Sequence, residues 1–81
     1  MRVQLKLFAV AKDLAGRSQL ELELPESATV ADLRRRIAEV LPELSELLPS
    51  VMIAVAAEYA RDDALIPPDA EVALIPPVSG G

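Results

Sequence analysis

Cysteine and histidine are both absent from this 81-residue chain. Without cysteine there is neither a disulfide nor a thiolate metal site. Without histidine the commonest metal ligand and the commonest general base are missing. Tryptophan is absent too, which leaves Phe8 and Tyr59 as the only aromatic side chains. No apolar run approaches the ~20 residues of a membrane-spanning helix. Lys6 and the alternation around it interrupt any apolar stretch that could serve as a secretory signal. Positive charge is scarce: eight Lys and Arg face thirteen Asp and Glu, for a formal net charge of −5. Such a balance disfavours nucleic acid, whose phosphates need a basic surface. The expectation is one small cytoplasmic domain, without metal, membrane or nucleic acid, held together by packing alone.

The packing material is present, since 52% of the residues are hydrophobic. Residues 2–10, RVQLKLFAV, alternate, with Val3, Leu5 and Leu7 on one side and Arg2, Gln4 and Lys6 on the other; this predicts a half-buried strand. AKDLAGR follows as a short helical turn or loop stopped by Gly16. SQLELELP alternates again and ends at Pro25, so the first two strands form an antiparallel hairpin. ESATVADLRRRIAEVLPEL changes period. Val30, Leu33, Ile37, Val40, Leu41 and Leu44 recur three and four apart, the stripe of an amphipathic helix. Thr29 is a good N-cap with Asp32 three residues on, and Pro42 ends or kinks the helix. VMIAVAAEY reads as one buried strand. A turn at Asp62-Asp63 and a short edge strand at Ala64–Ile66 follow, then EVALI as the last strand.

The predicted core is Leu5, Leu7, Leu22, Leu33, Ile37, Val55, Val72 and Leu74. The fold class is α+β: a mixed sheet of four to five strands with one main helix on one face, the ubiquitin-like β-grasp arrangement. Its last strand lies beside the first. Residues 1–75 make the domain and 76–81 an extended tail. Arg34-Arg35-Arg36 reads as solvated helix surface, with Arg35 and Glu39 able to pair. Glu21, Glu23, Asp62 and Asp63 read as surface charge, and Lys6 and Lys12 are the only lysines.

The tail carries the sharpest signal. Beyond Glu71 no charged side chain occurs. Pro76-Pro77 favours extended polyproline II, and from Pro76 to Gly81 the chain can reach roughly 20 Å. Val78 and Ser79 continue it. Gly80 and Gly81 have no Cβ and can enter a channel too narrow for a side chain. A stiff stalk, a slim tip and a carboxylate suit a terminus that is threaded into another protein's active site.

LFAVAKDLAG near the start and PPVSGG at the end resemble the small subunit of molybdopterin synthase, within the ubiquitin-like sulfur carriers. The resemblance covers the whole chain. It implies a carrier without catalysis of its own, using no tightly bound cofactor. An adenylyltransferase resembling the ubiquitin-activating type would join the Gly81 carboxylate to AMP with ATP and Mg²⁺. A sulfur donor would convert it to a thiocarboxylate, and the large synthase subunit, in a heterotetramer of two small and two large chains, would pass the sulfur to a cyclic pyranopterin precursor. Phe8, Tyr59 and Ile75 resemble the family's contact patch for these partners. In this chain Ala56 stands where members often carry Asn, and PPDAEV lacks their Asp-Gly turn. Carriers for thiamin or tRNA thiolation, and ubiquitin-like protein modifiers, share the diglycine end.

Overall fold

A computed structural model describes residues 1–77. The first strand, β1 (Arg2–Leu7), buries Val3, Leu5 and Leu7 completely, as its alternation predicts. It is shorter than the predicted strand. After Phe8 the chain turns into helix α1 (Ala9–Ala15), which begins at a left-handed Ala9 (φ 51°) and buries Ala11. Ala9 and Val10 therefore leave the strand. The sequence AVAKDLA is rich in good helix formers, and Ala11 is small enough to seat the helix against the core. Gly16 stops α1 in the left-handed region (φ 73°), its N–H donating to Lys12 O at 2.9 Å, the αL cap that glycine allows.

The second strand, β2 (Gln19–Glu23), pairs antiparallel with β1, Leu5 opposite Leu20 and Val3 opposite Leu22. The two form the expected antiparallel pair, with α1 as their connection. Helix α2 (Val30–Val40) then crosses one sheet face and buries Val30, Leu33 and Ile37. Its start is fully capped. Asp32 N–H donates to Thr29 Oγ1 at 3.2 Å, and Thr29 N–H donates back to Asp32 Oδ2 at 2.9 Å. That backbone bond, a further one from the Thr29 hydroxyl, and the nearby Arg35 guanidinium hold the Asp32 carboxyl below the usual carboxylate range. The next free donors at the helix start, Val30 and Ala31 N–H, reach Ala64 O and Asp62 O, so none of this end is left orphaned. The helix ends before Pro42, where a 3-10 turn (Pro42–Leu44) takes over.

The triple arginine divides its labour differently from the predicted pairing. Arg35 pairs with Asp32 and Arg36 with Glu39, each three residues away, and Arg35–Glu39 is not formed. Arg34 is structural. Its guanidinium donates to Asp62 Oδ1 (2.9 Å), Leu48 O (2.6 Å) and Val51 O (2.9 Å), tying α2 to the segments on either side of the next strand.

The predicted strand over residues 51–59 is a hairpin. β3 (Met52–Val55) and β4 (Glu58–Tyr59) pair antiparallel, Val55 opposite Glu58, around a two-residue loop. Both loop residues, Ala56 and Ala57, have positive φ (51° and 70°), the signature of a type I′ turn that ordinarily selects Asn-Gly. Alanine has no preference for that conformation, so nothing local announces the turn. Ala57→Gly is expected to relieve left-handed strain and stabilise the domain by about 1 kcal/mol, raising Tm by about 4–8 °C. An unchanged melting temperature would show that the turn stores no strain. The predicted strand at Ala64–Ile66 reduces to a single bridge between Leu65 and Thr29, because the segment is held by the start of α2 rather than by a sheet edge.

The last strand, β5 (Glu71–Ile75), runs parallel to β1 and antiparallel to β3, giving the order β2-β1-β5-β3-β4. This is the mixed β-grasp sheet with its helix layer on one face. Seven of the eight predicted core residues are buried; Val55 is partly buried and packs against them.

Candidate functional site

The helices cover one side of the sheet and leave the other side open. Strand parity decides what that open face displays. Leu7 and Leu74 point inward, so Phe8 and Ile75 fall on the outer side. Phe8 is 46% exposed and Ile75 half-buried. Ile75 lies in register with Met52, itself 49% exposed. One step further along, Ala73 pairs with Ala54 and Ala54 with Tyr59. Among the described residues Tyr59 is the most exposed large hydrophobic, at 66%. Ala54 is buried without belonging to the core cluster, which places its cover on this outer side. Phe8, Ile75, Met52 and Tyr59 thus form an apolar band across four strands, about 14 Å wide at the usual strand spacing. Exposed apolar surface of this kind marks a docking site.

All three residues expected at a partner surface, Phe8, Ile75 and Tyr59, lie on this one face. Tyr59 could not be assigned from alternation because the Ala56–Ala57 turn intervenes. Met52 was missed. Its signal was present in Val51-Met52-Ile53, where the flanking residues are both buried and the middle one points out. The rest of the face is ionic. Arg2 pairs with Glu23 at 3.1 Å and Glu21 at 3.9 Å, and Lys6 with Glu71 at 3.3 Å. These exposed pairs add little stability, but they leave β2 and the body of β1 ionic, so the apolar band starts at Phe8, at the end of β1, and runs over β5, β3 and β4.

β5 carries the chain out at the same end. Pro76 is buried and Pro77 exposed, so the segment beyond Ile75 starts from a packed proline. Val78, Ser79, Gly80 and Gly81 lie outside the described residues. Between the end of β1, α1 and the start of β2 is a recess of about 370 Å³, lined by Lys6, Leu7, Phe8, Ala9, Lys12, Ser18 and Gln19. Among the described residues no three Asp or Glu side chains gather closely enough to hold a metal ion, and no helix is long and apolar enough to cross a membrane. The arrangement is an exposed apolar band beside the point where β5 ends.

Comparison with known proteins gives a concordant result. The ThiS family model matches residues 5–81. The chain is 33% identical over 81 residues to the molybdopterin synthase sulfur carrier subunit of Arabidopsis thaliana, covering all of this chain and 84% of the relative. It is 38% identical over 78 residues to that of Dictyostelium discoideum, covering 93% and 91%. Among solved structures, SAMP1 from Haloferax volcanii, a small archaeal modifier protein, superposes with a TM-score of 0.89 at 27% identity over the whole of both chains. One chain of the complex of subunits 1 and 2 of molybdopterin-converting factor from Helicobacter pylori matches with a TM-score of 0.70 at 21% identity, covering 100% of this chain and 100% of that chain. A ubiquitin from Caldiarchaeum subterraneum matches with 0.67 at 20%, covering 100% of this chain and 98% of the other. At those identities the last two establish the shared fold alone.

Proposed function

The chain belongs to the ThiS family, and from that premise we propose that it is the sulfur carrier subunit of a molybdopterin synthase, acting in molybdenum cofactor biosynthesis in the cytoplasm. The observation that carries the reading is the extent of the likeness. The family match runs through residue 81 and so includes Gly80 and Gly81, and the whole chain aligns with a molybdopterin synthase sulfur carrier subunit.

The chemistry follows from what a carboxylate lacks. Its oxygen is a poor leaving group, so an activating enzyme first joins the Gly81 carboxylate to AMP, consuming ATP with Mg²⁺ and releasing pyrophosphate. A sulfur donor then displaces AMP and leaves a thiocarboxylate on Gly81. The carrier docks through Phe8, Ile75, Met52 and Tyr59 on the large subunit, in a heterotetramer of two small and two large chains. Pro76 and Pro77 aim the slim end into that subunit's active site, where the sulfur passes to the pyranopterin precursor. The partners supply the acid–base groups, and this chain supplies reach, shape and the terminal atom. A sulfur that rides on the terminus needs no thiol of the carrier's own, consistent with a chain without cysteine.

The test is intact-protein mass spectrometry after co-expression with the activating and sulfur-donating enzymes. The expected product is heavier than the free acid by the difference between sulfur and oxygen, and it converts the precursor when the large subunit is added. A chain that is never thiolated under those conditions would refute the reading. The likeness to SAMP1 favours a second one, in which Gly81 is joined to lysines of target proteins; amide-linked Gly81 recovered from cells would select it.

Docking has its own check. Phe8→Ala and Ile75→Glu are each expected to weaken binding to the large subunit by about 2 kcal/mol or more, as loss of a buried anchor does, with an unchanged thermal melt. Calorimetric titration that finds both variants binding normally would remove this face from the interface.

A further inference from the structure

The recess beside Phe8 brings together both lysines of the chain. The chain has a net charge of −5 and two lysines, and both line this one recess. Lys6 points out from β1 opposite Gln19 of β2 and is held by Glu71 at 3.3 Å. Lys12, on α1, is exposed and forms no ion pair among the described residues. Its sequence neighbour Asp13 is also exposed and does not pair with it, as expected for adjacent helical residues, which face different ways. Ser18 and Gln19 add a hydroxyl and an amide to the wall, and Arg17 flanks them in sequence. Phe8 belongs to the recess and to the apolar band at once, so the basic spot is continuous with the docking face.

We propose that this recess seats an acidic side chain of the large subunit, which registers the carrier on its partner; the inference rests on the function proposed above. The physical case is charge complementarity. Lys6 is already met by Glu71, whereas Lys12 has no carboxylate of this chain paired with it among the described residues, so a partner carboxylate would complete the recess. An Asp or Glu placed there pairs with Lys12 and competes with Glu71 for Lys6, while Ser18 and Gln19 can donate to its remaining oxygen. Such a mixed-sign contact penalises wrong orientations more than it adds affinity. Orientation matters here because the chain end leaves the sheet from the same side.

The experiment measures association of the full chain with the large subunit at low and high salt for four proteins: wild type, Lys12→Arg, Lys12→Glu and Arg2→Glu. Arg2→Glu changes net charge as much as Lys12→Glu does, but it lies at the other end of β1, away from the recess. Lys12→Glu is expected to weaken binding about tenfold at low salt and less at high salt. Lys12→Arg should bind as wild type, and Arg2→Glu should change binding less than twofold. Thermal melts of the wild type and both Lys12 variants should coincide, because Lys12 is exposed; Arg2→Glu, which faces Glu23 across the strands, should melt slightly lower while remaining folded. If Lys12→Glu binds as wild type, or if Arg2→Glu weakens binding equally, there is no local acid and the proposal is overturned. If the wild type itself fails to bind the large subunit, the functional reading falls, a result distinct from the loss of the recess alone.

Discussion

A chain lacking Gly81 is expected to acquire no sulfur and to support no conversion of the pyranopterin precursor, while melting at the same temperature as the intact protein. Shortening by one residue draws the carboxylate inward by about 3.5 Å. Reacting groups misplaced by about 1 Å already lose on the order of 100-fold in rate, so both adenylation and transfer should fall at least that far. Folding is spared because, among the described residues, the core cluster contains nothing beyond Leu74. Gly80→Ala and Gly81→Ala keep the length and add a Cβ, which separates width from reach. All three variants keep Phe8, Met52, Tyr59 and Ile75. They should therefore still occupy the large subunit and inhibit the intact carrier. The assay is thiocarboxylate mass and precursor conversion, with melts as the folding control. Normal rates from the shortened chain would sink the carrier reading.

The second large effect is on stability. Leu33 and Ile37 are completely buried where α2 meets the sheet. Replacing either with alanine removes several methyl and methylene groups and leaves a cavity, at a cost of roughly 2–5 kcal/mol. A small domain has only about 5–15 kcal/mol to lose, so the double variant should be largely unfolded at moderate temperature. Denaturant titration of each single variant measures the loss. Arg35→Ala, on the solvent side of the same helix, should stay within about 0.5 kcal/mol. A loss below about 1 kcal/mol at both Leu33 and Ile37 would mean that α2 does not rest on the sheet as described.

Local patterns determined a good deal of this molecule. Side chains on a strand alternate by geometry, so Val3, Leu5 and Leu7 had to share a face, and Phe8 and Ile75 had to point away from it. Helical spacing fixed Val30, Leu33 and Ile37 as the buried stripe of α2 but wrongly included Val40, which is 38% exposed in the last turn of α2, and Thr29 with Asp32 fixed its start through bonds that span three residues. The reading of the tail came from composition alone, because two prolines and two glycines act through their own backbones.

Contacts distant in sequence decided the rest. No local preference makes Ala56-Ala57 a turn; pairing Val55 with Glu58 forces it, and only then does Tyr59 acquire a side. The place of β5 beside β1 followed from the β-grasp arrangement as a whole, not from any signal within EVALI. The Arg34 clamp needed the carbonyls of Leu48 and Val51 brought beneath α2. Lys6, Lys12, Ser18 and Gln19 come from a strand, a helix and the start of another strand. A sequence states which side of its own element each of these occupies, but their meeting depends on how elements pair and pack, and that is settled by burying one shared core.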